Sequence, residues 1–200
     1  MSKECIDDIK IVAICGSVRP GNFTLKALRL VADEFEKKGI DVQVIDPSTM
    51  NLPLPGVNGS SSPDLKMLKE VVTNATGIVL STPEYHGSYS SVIKLVIENL
   101  GFPSVLSGKP VALLGVAAGA IGAIKALEHL RSVCSHIGTI VLPGPVSIAA
   151  VHTVFDDDGN CTDKKVEKRI RGVAIHLTDY IKENICPRIA LEEMVRKEST

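Results

Sequence analysis

The feature that most constrains the fold is an alternation, along the whole chain, of short apolar runs with segments of helical periodicity. The apolar runs are rich in β-branched residues, as in strands buried on both faces, and occupy residues 9–15, 42–45, 78–80, 111–116 and 137–142. Each run is followed by apolar residues at helical spacing, which predict helices over residues 25–35, from 63 onward, 91–100, 121–135 and 166–181. Strands that alternate with helices form right-handed crossovers, so the pattern predicts an α/β fold with a five-stranded parallel sheet.

Length and composition indicate one folded domain. The chain has 200 residues, of which 44% are hydrophobic and 22% charged, so it can bury a core without a metal or a disulfide framework. We expect a single domain over residues 1–186, interrupted by a Pro-rich loop at 47–62. The charged segment 187–200 is expected to be a peripheral tail.

The charge balance excludes several classes of partner. Lys and Arg total 22 against 23 Asp and Glu, a net charge of −1, so we expect neither nucleic acid nor a charged membrane surface as a partner. No apolar stretch reaches the roughly 18 residues of a membrane span, and the first residues have no apolar leader. We therefore expect a soluble, cytoplasmic protein.

The loop after the first strand carries the clearest chemical signal. It reads GSVRPGNFT over residues 16–24 and leads into a helix, whose free N–H groups and positive dipole end favour an anion. Ser17, Asn22 and Thr24 add neutral donors, and Arg19 adds a charged fork that suits a phosphate. The alternative is an ordinary capped helix start with a solvated arginine.

The spacing of this loop excludes two common phosphate motifs. Asn22 and Phe23 stand where a Walker A loop needs Lys and Ser or Thr. Val18 stands where a dinucleotide-binding loop needs its second glycine, so a pyrophosphate could not approach the backbone there. A ligand with one phosphate fits better.

Two further loops are expected at the same edge of the sheet. Residues 82–90, TPEYHGSYS, offer exposed amides for the edge of a flat heteroaromatic ring, with Tyr85 against its plane. Residues 115–122 contain almost only small residues, which permit either close approach of a ligand or tight strand–helix packing. Taken alone, residues 82–90 would favour a polar turn, and residues 115–122 give only a weak signal.

Taken together, the three loops resemble those of the NADPH-dependent FMN reductase family over residues 9–185. The resemblance implies a flavodoxin-like, doubly wound sheet of order 2-1-3-4-5 with helices on both faces. It also implies that FMN is bound by the first loop around its phosphate and by the other two loops around its isoalloxazine. The implied contacts are Ser17, Arg19, Asn22, Phe23 and Thr24 for the first loop, and Pro83, Glu84, Tyr85, His86, Gly87, Ala118 and Gly119 for the others.

The same resemblance implies an NAD(P)H-dependent oxidoreductase that passes two electrons by a ping-pong hydride mechanism to quinones, azo dyes, chromate or free flavin. The chemistry would take place on flavin N5, so no catalytic side chain is expected, and no metal site is expected either. An electron carrier without NAD(P)H turnover and an enzyme that uses FMN as a diffusing substrate remain alternatives. The nearly all-apolar helix at 91–100 predicts a homodimer or homotetramer, unless the 47–62 loop covers it.

Overall fold

A parallel sheet forms the centre of the computed structural model, which describes residues 9–57 and 62–198. Its strands are β1 (Lys10–Cys15), β2 (Asp41–Ile45), β3 (Gly77–Tyr85), β5 (Pro110–Val116), β6 (Ile140–Val141) and β7 (Val146–Ile148), with a short β4 (Ser88–Tyr89) beside β3. The helices are α1 (Phe23–Lys37), α2 (Pro63–Asn74), α3 (Ser91–Asn99), α4 (Ile124–His136), α5 (Lys164–Tyr180) and α6 (Cys186–Glu198).

The strand order is β2-β1-β3-β5-β6, with parallel pairing throughout this path. Because β4 belongs to a hairpin on β3, this is the expected order 2-1-3-4-5, and the predicted flavodoxin-like arrangement is confirmed.

The fifth strand differs from its prediction. Residues 137–142 contribute only the two-residue β6, while β7 pairs with the C-terminal half of β5. Pro143 and Pro145 lie between the two pieces, and proline cannot donate the N–H that continuous pairing needs.

Helices cover both faces of the sheet, as predicted. One buried cluster joins α1 and α5 to the sheet through residues such as Leu28, Phe35 and Leu177. The second cluster lies on the opposite face and joins α2, α3 and α4 to it, with Leu68, Ile93, Leu127 and their neighbours.

Helix α2 begins where its sequence predicts. Ser62 caps it by accepting the Leu65 N–H at 3.0 Å, with Pro63 at the first helical position and Asp64 in the first turn.

Helix α3 exposes less apolar surface than its composition suggests. Ile93, Val96, Ile97 and Leu100 are buried in the core of the chain itself. The Pro-rich loop also reaches the helix, because Asn99 Nδ2 donates to the carbonyl oxygen of Pro53 at 2.9 Å. Residues 58–61 of that loop lie outside the described residues. Part of the apolar surface that predicted a partner subunit is therefore covered within the chain itself.

The predicted tail is helical in the structure. A π-helical segment, Ile181–Ile185, leads from α5 directly into α6, so residues 187–198 continue the last helix. Leu191, Met194 and Val195 are each more than 60% exposed on it. Within residues 9–57 and 62–198, none of the helices combines the length and apolar character of a membrane span.

Candidate functional site

An open cavity of about 380 Å³ lies at the carboxyl ends of β1, β3 and β5, where ligands bind in sheets of this type. Its lining comes from three segments of the chain and one residue outside them: Ser17, Arg19, Pro20, Gly21, Asn22, Phe23 and Thr24 from the first, Pro83, Glu84 and Tyr85 from the second, Val116, Ala117 and Ala118 from the third, and Val151 from farther along the chain. The volume is within the roughly 300–1,000 Å³ of small-molecule sites.

The first loop is held in place by its own polar groups. Asn22 is the N-cap of α1, and its Oδ1 accepts the Leu25 N–H at 2.7 Å. Its Nδ2 donates to the carbonyl oxygen of Arg19, also at 2.7 Å. Since both ends of this amide are used inside the loop, Asn22 shapes the loop, and the N–H groups of Phe23 and Thr24 at the helix start are left for a ligand.

Two buried side chains lie under this loop. The Ser17 side chain is 2% exposed and still lines the cavity, with its Oγ 3.5 Å from the N–H of Arg19. Cys15, at the end of β1, is completely buried, as expected of a small hydrophobe. Burial raises the pKa of its thiol to about 11, so at neutral pH the thiol is protonated and is not a nucleophile.

The second segment is a β-hairpin and not the open loop that the sequence suggests. Strand β3 continues to Tyr85 and turns back through His86 and Gly87 into β4, pairing Tyr85 with Ser88. Both turn residues have positive φ angles, 50° and 73°, as a two-residue hairpin turn requires. The pairing uses part of the backbone that we expected to be available to a ring.

Ser90 ties the hairpin to the first loop. Its Oγ donates to the carbonyl oxygen of Gly16 at 2.5 Å and accepts the N–H of Ile93 at 3.1 Å, so it also caps α3. Its N–H donates to Thr82 Oγ1 at 3.0 Å. All these groups are buried, which fixes the spacing between the two sides of the cavity.

A cation–π contact connects the first loop to the hairpin. The guanidinium carbon of Arg19 lies 4.9 Å from the centre of the Tyr85 ring. Both side chains are exposed, so a charged fork and an aromatic face are presented together to solvent and to an entering ligand.

The third segment is shaped by residues far along the chain. The carbonyl oxygens of Ala117 and Gly119 accept the N–H groups of Val151 and Ala150, each at 3.0 Å. The N–H of Ala117 donates to the carbonyl oxygen of Ile148 at 2.9 Å. These bonds hold the small-residue loop open beside the cavity and bring Val151 into its wall.

The structure brings most of the predicted site residues to one cavity. Three of them, His86, Gly87 and Gly119, lie in the hairpin turn or the third loop but outside the cavity lining. The sequence reasoning missed Pro20, Gly21, Val116, Ala117 and Val151. Pro20, Gly21 and Ala117 adjoin predicted residues and Val116 precedes Ala117 at the end of β5, whereas no local pattern marks Val151. In the described parts of the chain, no cluster of three His, Cys, Asp or Glu side chains could hold a metal ion.

Comparison with known proteins agrees with this geometry. The chain is 31% identical over 169 residues to the NAD(P)H-dependent FMN reductase of Pseudomonas aeruginosa, covering 82% of this chain and 91% of that protein. It is 30% identical over 176 residues to an NADPH azoreductase of a Bacillus species, covering 86% and 94%.

Among solved structures, the fold is similar to that of FerB, a flavoenzyme NAD(P)H:(acceptor) oxidoreductase from Paracoccus denitrificans. The TM-score is 0.75 at 23% identity, covering 88% of this chain and 98% of that one. The sequence model of the NADPH-dependent FMN reductases matches residues 9–153, which include all three segments around the cavity. The chain is therefore a member of the NADPH-dependent FMN reductase family, an FMN-dependent oxidoreductase.

Proposed function

We propose that FMN binds in this cavity and that the enzyme passes electrons from NADPH or NADH to small-molecule acceptors. The observation that carries the proposal is the arrangement of the cavity itself. Its lining combines an anion-binding helix start and an arginine from the first loop with a hairpin and small apolar residues from the other two segments. This matches a ligand with one phosphate and one flat ring system.

The phosphate would be bound by the first loop. The N–H groups of Phe23 and Thr24, the hydroxyl of Ser17 and the guanidinium of Arg19 all border the same end of the cavity. The buried hydroxyl and the backbone amides are already in position before the phosphate binds, so they need little reorganisation. The arginine supplies the positive charge. Asn22 would act by holding this loop in shape.

The ring would lie between the hairpin and the third loop. Pro83, Tyr85 and Ala118 would contact its faces and edge, with Val116 and Val151 as apolar wall. His86, Gly87 and Gly119 would contribute at most from the rim. Bound FMN would supply hydride transfer at its N5, and the protein would orient it and exclude water from one side.

The acceptors we propose are quinones, azo dyes, chromate and free flavin. The cavity is open to solvent, and beside it Ala118, Gly119 and Ala120 are exposed and carry little side chain. Such a surface admits flat acceptors of different outline and does not select one shape. A cytoplasmic location, where reduced nicotinamides are available, is part of this proposal.

Anaerobic stopped-flow mixing of the FMN-loaded protein with NADPH tests the reaction. We expect the flavin absorbance near 450 nm, where oxidised flavins absorb, to bleach and to return when a quinone is added. A flavin that neither nicotinamide reduces at millimolar concentration would contradict the proposal and favour an electron carrier.

A second measurement separates a resident cofactor from a diffusing substrate. If FMN is resident, gel filtration in flavin-free buffer leaves a yellow protein with FMN still bound. If FMN is a substrate, the protein elutes colourless, and the rate with NADPH depends on added FMN with a saturable KM.

The assembly we propose is a homodimer or homotetramer. Leu54 and Val57 are 67% and 55% exposed, and the loop that carries them reaches Asn99. Phe102 is 96% exposed three residues after Asn99, so apolar surface remains at this end of α3. Light scattering at micromolar concentration should give at least twice the 21.3 kDa chain mass, and a monomer would contradict this assembly.

A further inference from the structure

Helix α4 begins without a cap of its own. Its N-cap residue is Ala123, which has no side-chain oxygen to accept an N–H of the first turn. The N–H of Ala126 is nevertheless satisfied, because it donates to Glu84 Oε2 at 3.0 Å. The acceptor comes from 42 residues earlier in the chain, at the end of β3.

The charge of Glu84 suits this position. A carboxylate at a helix N-terminus meets the positive end of the helix dipole, and this interaction stabilises the helix. A second strand also holds this helix start, since Ser147 Oγ on β7 accepts the N–H of Ala123 at 2.8 Å. The start of α4 is therefore fixed by side chains from β3 and β7.

The contact joins two of the segments that border the cavity. Glu84 lies between Pro83 and Tyr85 in the hairpin, and α4 is the helix into which the third loop leads. The hairpin turn also lies against this helix, because a Cβ placed on Gly87 would be 3.6 Å from Lys125 Cδ. A shift of the helix start would move the hairpin with it.

We infer that Glu84 is a positioning residue. Its carboxylate caps α4 from outside and thereby fixes the hairpin and the third loop at the separation that the flavin ring requires. The inference rests on the flavin site proposed above, and it replaces the expectation that Glu84 acts by contacting the ring directly.

The first arm of the test uses the flavin-free protein. In Glu84→Ala, hydrogen–deuterium exchange of the amides at 124–127 should be faster by about tenfold, as expected for loss of one cap. Glu84→Gln keeps an oxygen acceptor and should stay within about threefold of the wild type. Glu84→Asp keeps the charge but is one methylene shorter, and should exchange like Glu84→Ala. Glu128→Ala, which removes an exposed carboxylate from the same helix, is the control and should exchange like the wild type.

The second arm titrates FMN and riboflavin into each variant. Because the cap acts at the ring end, Glu84→Ala should weaken both flavins by the same factor, about fivefold to tenfold, and Glu84→Gln should restore both. A loss of flavin affinity with unchanged exchange would overturn the inference, as it would mean direct ring contact. A loss confined to FMN, or a Glu84→Gln variant as weak as Glu84→Ala, would overturn it as well. If the wild type binds neither flavin, the proposed function fails, while the exchange arm still decides whether the cap exists.

Discussion

At the scale of single residues, Arg19 is the charged group that we propose for recognition of the phosphate. A charge-assisted hydrogen bond contributes about 1.5–3 kcal/mol, so Arg19→Ala should weaken FMN by about 10- to 100-fold. Riboflavin lacks the phosphate and should bind the variant and the wild type alike. Fluorescence titration measures both affinities, with Arg29→Ala, an exposed arginine on α1, as the control. Equal losses for both flavins would contradict a phosphate contact.

Asn22 lines the cavity and also holds the first loop in shape. Its side chain caps α1 and braces the Arg19 carbonyl, so Asn22→Ala should lower the free energy of unfolding by about 1 kcal/mol. Serine is also a preferred N-cap, and Asn22→Ser should recover most of that loss. Urea unfolding measures both variants. A serine variant as unstable as the alanine variant would show that capping is not the source of the effect.

At the scale of elements, packing between β5 and α4 depends on Gly115 but not on Gly119. A Cβ on Gly115 would lie 2.7 Å from Ala123 Cβ and 2.9 Å from Leu127 Cγ, so Gly115→Ala should destabilise the fold by about 1–3 kcal/mol. A Cβ on Gly119 meets nothing within 4 Å, and Gly119→Ala should be neutral. Thermal unfolding compares the pair. This contrast assigns Gly115 to helix packing and Gly119 to open space.

Asp33 on α1 forms an ion pair with Arg171 on α5, and this pair makes the contact between the two helices sensitive to pH. Asp33 is hydrogen-bonded to Lys37 and Arg171, which lower the pKa of its carboxyl, and Arg171 also binds Glu167 at 2.8 Å. A lowered pKa stabilises the fold above the unfolded-state value of about 4, and the stabilisation is lost as the pH falls through the folded-state pKa.

Asp33→Asn should therefore cost about 0.5 kcal/mol at pH 7, since solvent screens a group this exposed. The difference from the wild type should vanish below the folded-state pKa. Urea unfolding at pH 7 and at about pH 3 gives both values, with the exposed loop variant Asp157→Asn as the control. A difference that persists unchanged in acid would exclude the ion pair as its cause.

At the scale of the whole molecule, the cavity joins residues from Ser17 to Val151 and so requires the complete sheet. FMN bound there should stabilise the native state by about 2.7 kcal/mol at a concentration 100 times its Kd. Differential scanning calorimetry should show the melting temperature rising with FMN concentration, and less so in Arg19→Ala. A melting temperature that does not respond to saturating FMN would mean that the flavin does not bind the folded chain in this cavity.

The sequence by itself determined the parallel sheet, its strand order through the family resemblance, and the edge at which the site lies. These features follow from local signals. Periods of apolar residues define strands and helices, residues such as Ser62 and Ser90 define helix starts, and the carboxyl ends of parallel strands share an edge. It also indicated most of the cavity lining, because residues 17–24 and 83–85 are contiguous with those strand ends.

Only the tertiary structure decided how the polar groups at the site are used. The structure shows that Asn22, predicted at the phosphate, bonds within its own loop, and that Glu84, predicted at the ring, accepts the N–H of Ala126 at the start of α4. Val151 enters the cavity wall through backbone bonds to Ala117, and the expected loop at 82–90 is a hairpin. The bonds of Glu84 to Ala126 and of Ala117 to Val151 join residues tens of positions apart, and those of Asn22 depend on how its own loop folds. All of them follow from the three-dimensional path of the chain, which local periodicity does not encode.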